Sequence, residues 1–363
     1  MMEVSDNIVA SPEALIREEK LSDEEEVSMR DWLLSDAEFD KDVTGCTEYG
    51  DLLIDLVSML ENVEGADLNV ISLANDDKND FTGPHLYVAD GLWDLVRVTA
   101  GSLLKENRDI LKLEHEVVGI DYSGEASTPT HPIHIHTSRG VFACKATIIT
   151  LPLGILQTSH TRLFHPSLPP KHAQAIESVG VGLMDKVILE FPHPFWDPSL
   201  DGFWAFLPAP RIRRGMDFDE GGEAAGLVWF VNLCKMHEKG PPVLIGHVSQ
   251  RHARRIEEMD DEEVEALFME MLKACFVGVQ VPEPESFRVT RWGMDPFSMG
   301  ACAYLPVGNG ASLANIITLS EPVSSVHFAG EHTSPHHFGT VHGALMSGIV
   351  EAESVALELG FLQ

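Results

Sequence analysis

Two stretches hold the residue types and spacings best suited to chemistry. The first, Val326 to Glu353, reads VHFAGEHTSPHHFGTVHGALMSGIVEAE. A short apolar run, Val326 to Ala329, ends in Gly330-Glu331, and after a His-rich loop Thr340-Val341-His342-Gly343-Ala344 begins a helix with small residues along one side. A helix N-terminus offers unpaired N–H groups and the positive end of the dipole, which favour an electron-rich carbonyl on a bound group. Gly343, Ala344, Ser347 and Gly348 would let that helix approach a large flat ring, and Glu331 at a strand end is placed to bond hydroxyls. A helix packed closely on a sheet explains the same small residues. The second stretch is Met184-Asp185-Lys186-Val187-Ile188-Leu189. A lysine entering an apolar strand is costly to bury without a partner, because the ammonium loses its hydration. Either a bound group and an ordered water satisfy Lys186, or it sits on an edge strand and points at solvent.

Other candidates read more plainly. His134 and His136 share a strand face at a spacing a metal could use, but no third ligand is in sight, so the expectation is an exposed strand face and no metal. Cys46, Cys144, Cys234, Cys275 and Cys302 are scattered and odd in number, which argues against a disulfide framework and for buried free thiols. Gly180-Val181-Gly182 and Gly308-Asn309-Gly310 each start like a dinucleotide fingerprint but lack the third glycine, so both read as turns.

The elements that position these residues follow from periodicity. Leu95, Val96, Thr99, Leu103 and Leu104 form one stripe of a helix opening at Gly91-Leu92-Trp93. Strand-like runs cover Leu111 to Tyr122, His131 to His136 and, after the turn Ser138-Arg139-Gly140, Val141 to Thr150; within the last, Ala146 to Leu151 suits a buried sheet. There follow a helix near Pro170 to Ser178, a strand from Lys186 to Phe191, and paired strands from Leu227 to Leu233 and Val243 to Val248. An amphipathic helix capped by Asp261 carries Val264, Leu267, Phe268, Met271, Leu272 and Cys275. Pro208 to Glu223 reads as a surface loop. In the acidic start of the chain, Leu52, Leu53, Leu56, Val57 and Leu60 recur at helical spacing, while the composition of residues 1–30 suits disorder.

Phe328-Ala329-Gly330-Glu331-His332-Thr333, followed by Thr340-Val341-His342-Gly343-Ala344-Leu345 and Ser347-Gly348, closely resembles the C-terminal flavin motif of the flavin amine oxidases. That family includes polyamine oxidases, monoamine oxidases and lysine-specific histone demethylases. Thr147 to Leu156 looks like the family strand-and-turn beside the cofactor, and Arg291 to Phe297 with Gly300 is similar to its tryptophan-containing segment. The likeness runs from about Phe81 to Leu359.

The resemblance implies an FAD cofactor held by Val117 at the adenine and by Thr150, Leu151, Gly330, Glu331, Thr340 and Val341, with Trp292 and Phe297 walling the flavin. Lys186 takes the position of the family lysine that holds a water near flavin N5. In the intact family the amine α-carbon gives a hydride to the flavin, the imine hydrolyses, and oxygen reoxidises the flavin with release of hydrogen peroxide. Where many members have a tyrosine facing the substrate amine, this chain has Cys302; Tyr304, two residues on, could share its strand face and touch substrate. The Gly-x-Gly-x-x-Gly loop for the diphosphate is missing from the sequence, so the expectation is an N-terminally truncated member.

The implied architecture is α/β: an incomplete FAD-binding, Rossmann-like domain of the glutathione-reductase type, interleaved with an α+β substrate-binding domain. Its expected parts are residues 1–83 (acidic, partly disordered, substrate side), 84–182 (FAD side), 183–310 (substrate side) and 311–363 (FAD side). The 363 residues suffice for two cores, and a hydrophobic fraction of 44% is that of a globular protein. A formal charge of -32 argues against direct nucleic-acid binding and suits a cationic substrate, although it serves solubility equally. Polyamines lead as substrate, with a histone demethylase-like activity second and a non-enzymatic remnant third. No apolar run approaches the roughly 18 residues a bilayer requires, and no signal or peroxisomal address is visible, so no membrane contact and a cytoplasmic location are expected. Oligomeric state is left open.

Overall fold

In the computed structural model, the described residues are 27–35, 59–62, 64–73, 88, 91–124, 132–206, 227–236 and 240–362. Leu52, Leu53, Leu56, Val57 and the Pro208 to Glu223 loop lie outside them. The strands in chain order are β1 (Val117–Asp121), β2 (Ile133–Thr137), β3 (Gly140–Cys144), β4 (Thr147–Ile149), β5 (Phe164–His165), β6 (Gly180–Val181), β7 (Met184–Glu190), β8 (Gly202–Phe206), β9 (Leu227–Asn232), β10 (Val243–Ser249), β11 (Ser286–Val289), β12 (Ala303–Tyr304) and β13 (Val326–Phe328).

The fold is α/β, with the described strands in a five-stranded sheet ordered β11-β7-β10-β9-β8, a four-stranded sheet ordered β3-β2-β1-β5, and the pairs β12-β6 and β13-β4. In the five-stranded sheet all neighbours are antiparallel. Alternation is clean along β7, where Asp185, Val187 and Leu189 are buried and Met184, Lys186, Ile188 and Glu190 are only half-buried. The buried set packs with Phe230, Leu244 and Val248 against the helix Asp261–Cys275, whose Val264, Phe268, Met271 and Leu272 complete this core. That helix begins with a reciprocal cap. Asp260 accepts the Glu263 N–H at 2.8 Å and donates its own N–H to Glu263 at 3.2 Å, so the cap is Asp260 and not Asp261. Cys275, at the helix end, is exposed rather than buried.

A second core gathers Ile120, Ile149, Leu156, Phe164, Ile176, Ile316, Val326 and Phe328 from the residues before β7 and after β12. A third, small cluster joins Met29, Ala66, Leu68, Ile71 and Leu73.

Several elements differ from the sequence reading. Leu111 to Glu116 is not strand; only β1 pairs. Val141 to Thr150 is two strands, not one, because the chain changes partner at Lys145-Ala146: β3 pairs with β2, and β4 pairs in parallel with β13. Gly180-Val181 is not a turn. It forms β6 against β12, and Tyr304 lies over Gly180 so closely that a Cβ there would stand 2.5 Å from the ring. Gly308 and Gly310 do form a turn, both at positive φ (83° and 72°). The helix Trp93–Glu106 forms where the periodicity predicts, yet its apolar stripe is exposed: Leu95 by 49%, Val96 by 52% and Leu103 by 55%.

Candidate functional site

β7 is flanked by β11 and β10, so Lys186 is not on an edge strand. Its side chain stands on the sheet face opposite the core, half-buried. Burial lowers the Lys186 ammonium pKa, and the neighbouring Asp185 and Cys302 oppose that shift. Lys186 and Cys302 are thus neighbours. The Tyr304 ring packs over Gly180 and beside the Met29–Leu73 cluster.

Asp185, the preceding residue, points to the other face and is fully buried. Its Oδ1 accepts the Thr290 hydroxyl at 2.7 Å and the Trp292 N–H at 3.0 Å. The Lys186 N–H donates to Thr290 Oγ1 at 2.8 Å, and the Thr290 N–H donates to the Lys186 carbonyl at 3.0 Å. Glu257 Oε1 accepts the Gly293 N–H at 2.6 Å. Burial pushes the Glu257 carboxyl up, against that N–H; the adjacent Asp185 pushes it further. Asp185 therefore fastens the Trp292 backbone to the strand that carries Lys186, and Glu257, at the end of the helix Gln250–Glu257, holds Gly293 beside it. Beyond that anchor Trp292 and Phe297 remain open to solvent, by 38% and 69%.

Val117, Leu151 and Phe297 line one cleft of about 820 Å³, together with Ile155, Arg162 and Met299 among others. Thr150 is exposed where β4 ends. Because Ile149 and Phe328 are paired in the parallel β4-β13 register, Thr150-Leu151 and Gly330-Glu331 leave the carboxyl ends of neighbouring strands. Ligands of α/β folds sit at such ends.

The C-terminal motif is built around the helix Val341–Glu358. Thr340 caps it, its Oγ1 accepting the Gly343 N–H at 3.0 Å. Val341, just inside, is 54% exposed. Ser347 Oγ accepts the Gly330 N–H at 3.0 Å and lies 3.0 Å from its carbonyl, fixing the strand end to the helix. Glu331 Oε2 accepts the backbone N–H groups of Ala303 and Gly339, while burial pushes its carboxyl up. Gly343 is small for a reason the sequence did not reveal: a Cβ there would strike the His337 carbonyl. Gly348 differs, since a Cβ would meet nothing within 4 Å.

These residues fit a flat ring with a sugar chain. The strand ends, the capped helix N-terminus, the open space at Gly348 and the mixed apolar and polar cleft that holds Leu151 and Phe297 all offer surface to it, and Glu331 keeps 22% of its side chain exposed. Among the described residues no cluster could hold a metal ion, and no helix is long and apolar enough to cross a membrane.

Three aromatic and imidazole groups that the sequence does not mark as site residues stand on the face of Lys186. His247 lies directly across from Lys186 on β10, Trp229 across from His247 on β9, and Trp204 across from Trp229 on β8. The signal that could have found them is one large ring at a half-buried position of each successive strand.

The family described as flavin containing amine oxidoreductase matches residues 1–356. Polyamine oxidase 4 of Oryza sativa subsp. japonica is 31% identical over 299 residues, which is 82% of this chain and 54% of that protein. Lysine-specific histone demethylase 2 of Homo sapiens is 29% identical over 307 residues, 83% of this chain and 34% of that protein. The chain thus spans about half the rice protein's length and about a third of the human one's. Among solved structures, a putrescine oxidase redesigned in its cofactor binding superposes with a TM-score of 0.66 at 18% identity, covering 98% of this chain and 77% of the other. Cyclohexylamine oxidase from Brevibacterium oxydans gives 0.60 at 20% identity, covering 92% and 68%. These two likenesses concern the fold.

Proposed function

This chain belongs to the flavin containing amine oxidoreductase family, and from that premise we propose that it acts as an FAD-dependent oxidase of polyamines. The observation that carries the reading is the placement of Lys186: half-buried inside the sheet, beside Cys302, on a strand tied by Asp185 to the Trp292 backbone. Such a lysine can hold a water at the reacting centre while the Trp292 to Phe297 segment walls the ring.

Bound there, FAD supplies a hydride acceptor for the carbon beside the amine nitrogen, with oxygen as final acceptor, so the products are an imine that hydrolyses to aldehyde and amine, and hydrogen peroxide. The chain's own residues then divide the remaining work. Lys186, its pKa lowered, orients water where the imine is hydrolysed. Val117 would meet the adenine, Leu151 and Phe297 would border the ring, and Thr150, Gly330, Glu331, Thr340 and Val341 would hold the rest of the cofactor. Cys302 borders the reacting amine. Residues 84–182 and 311–363 form the FAD side, and residues 1–83 and 183–310 the substrate side. We place the protein in the cytoplasm.

A formal charge of -32 draws polyamines by long-range attraction. A second reading, oxidation of a methylated lysine side chain, draws on the likeness to the human demethylase. The absorbance of the purified protein tests the cofactor directly. Flavin bands are expected; a colourless protein that takes up no added FAD would favour a non-enzymatic product.

A further inference from the structure

Lys186, His247, Trp229 and Trp204 stand in one line across the five-stranded sheet, each the direct cross-strand partner of the next. Directly opposed residues share a sheet face. Neighbouring strands lie about 4.8 Å apart, so three steps carry the line roughly 14 Å from the lysine to the outer indole. The two indoles have centroids 5.1 Å apart, tilted by 45°. Together with His247, Met184 and Asn62 they line a cavity of about 390 Å³. Among the described residues no carboxylate lines it. His247, between the lysine and the indoles, is held down to about 4, first by burial and then by the Lys186 charge. It is neutral at pH 7 and sets no positive charge in the way of an ammonium.

Resting on the polyamine reading, we propose that Trp204 and Trp229 form a subsite for the distal ammonium of an extended amine whose reacting nitrogen lies at Lys186. Indole faces attract ammonium groups through the ring quadrupole, most strongly where water is excluded. The methylene chain between the two nitrogens crosses the face past His247. The sheet then works as a ruler. An amine whose reacting nitrogen is unprotonated at the lysine end and whose cationic nitrogen lies roughly 14 Å away engages both ends, whereas a short monoamine reaches only the lysine end. An aromatic pair present only to stabilise adjacent strands would give no dependence on the second charge.

Calorimetric titration of the full chain with FAD present, using spermine and butylamine as probes, tests this. For Trp204→Leu, spermine affinity is expected to fall roughly three- to thirty-fold while butylamine affinity holds, with Trp204→Phe recovering most of the loss. Loss of the Trp204 tryptophan-fluorescence response to spermine, but not to butylamine, should accompany it. If both amines bind the parent protein and Trp204→Leu weakens neither, or weakens both equally, the subsite is wrong and the polyamine reading stands. If the parent binds neither amine, the polyamine reading falls and takes the subsite with it.

Discussion

The Asp185 carboxylate accepts the backbone N–H of Trp292 at 3.0 Å, which ties the Trp292 segment to the strand next to Lys186. Asp185 and Lys186 are adjacent, so strand alternation sends one inward to hold the Trp292 segment and the other to the opposite face of the sheet. Anchor and proposed chemistry sit on consecutive residues.

Replacing that anchor should be costly in one form and mild in another. Asp185→Ala leaves the buried Trp292 N–H and Thr290 hydroxyl without their acceptor, at a cost of roughly 2–5 kcal/mol. Asp185→Asn keeps an acceptor oxygen for both and adds an N–H that can face Glu257. It should therefore retain most of the stability and let the Glu257 carboxyl fall back toward its ordinary range. Urea unfolding of the two variants checks the order; equal losses would show that the carboxylate charge, not the acceptor, holds the segment.

For Lys186→Met, stem length and apolar packing are roughly conserved, so stability should change by less than about 1.5 kcal/mol. Turnover of the flavin-loaded protein should fall, and stopped-flow absorbance can time reduction and reoxidation separately. A second readout needs no flavin. Removing the lysine charge should raise the His247 pKa from about 4, visible by NMR titration of the imidazole, because that charge is part of what holds it down. Unchanged half-reactions together with an unchanged His247 would return Lys186 to a solvent-facing role.

Much of this arrangement is legible in the chain, and the exceptions share one cause. The helix Asp261–Cys275 is written in its spacing, although the sequence reading places its cap at Asp261 instead of Asp260, and β7 is written in its alternation, because both depend on neighbours in sequence. Gly180-Val181 reads as a turn because its partner, Ala303-Tyr304, is far along the chain. The break between β3 and β4 is invisible for the same reason, since β4 takes its partner from Val326–Phe328. The line from Lys186 to Trp204 depends on the register of four strands, which no local pattern records. The strand ends at Thr150-Leu151 and Gly330-Glu331 are marked by their motif wording, and the structure sets them side by side. What Gly343 does is not marked, since the His337 carbonyl that demands it is set by a loop.

The buried histidines set a pH dependence. His247, His252 and His332 are each held from 6.5 to about 4, chiefly by burial. Their folded pKa values are depressed, so the unfolded chain binds more protons between those limits. Stability is therefore full above about pH 6.5, declines as pH falls toward 4, and is insensitive to these groups below that. At about 1.4 kcal/mol for each pH unit between the two values, the fully buried His332 alone accounts for roughly 3 kcal/mol. Urea midpoints measured from pH 7 to pH 4 should show a slope that His332→Phe reduces; an identical slope in the variant would mean another group carries it.

Peroxide release by the FAD-loaded protein, compared between spermine and a methylated-lysine histone peptide, tests the central claim most directly. The account predicts faster release with spermine. Its apparent affinity should weaken as salt is added, because attraction between exposed charges is screened over about 10 Å at 0.1 M ionic strength. Release with the peptide alone, and none with spermine at any salt concentration, would contradict the polyamine assignment.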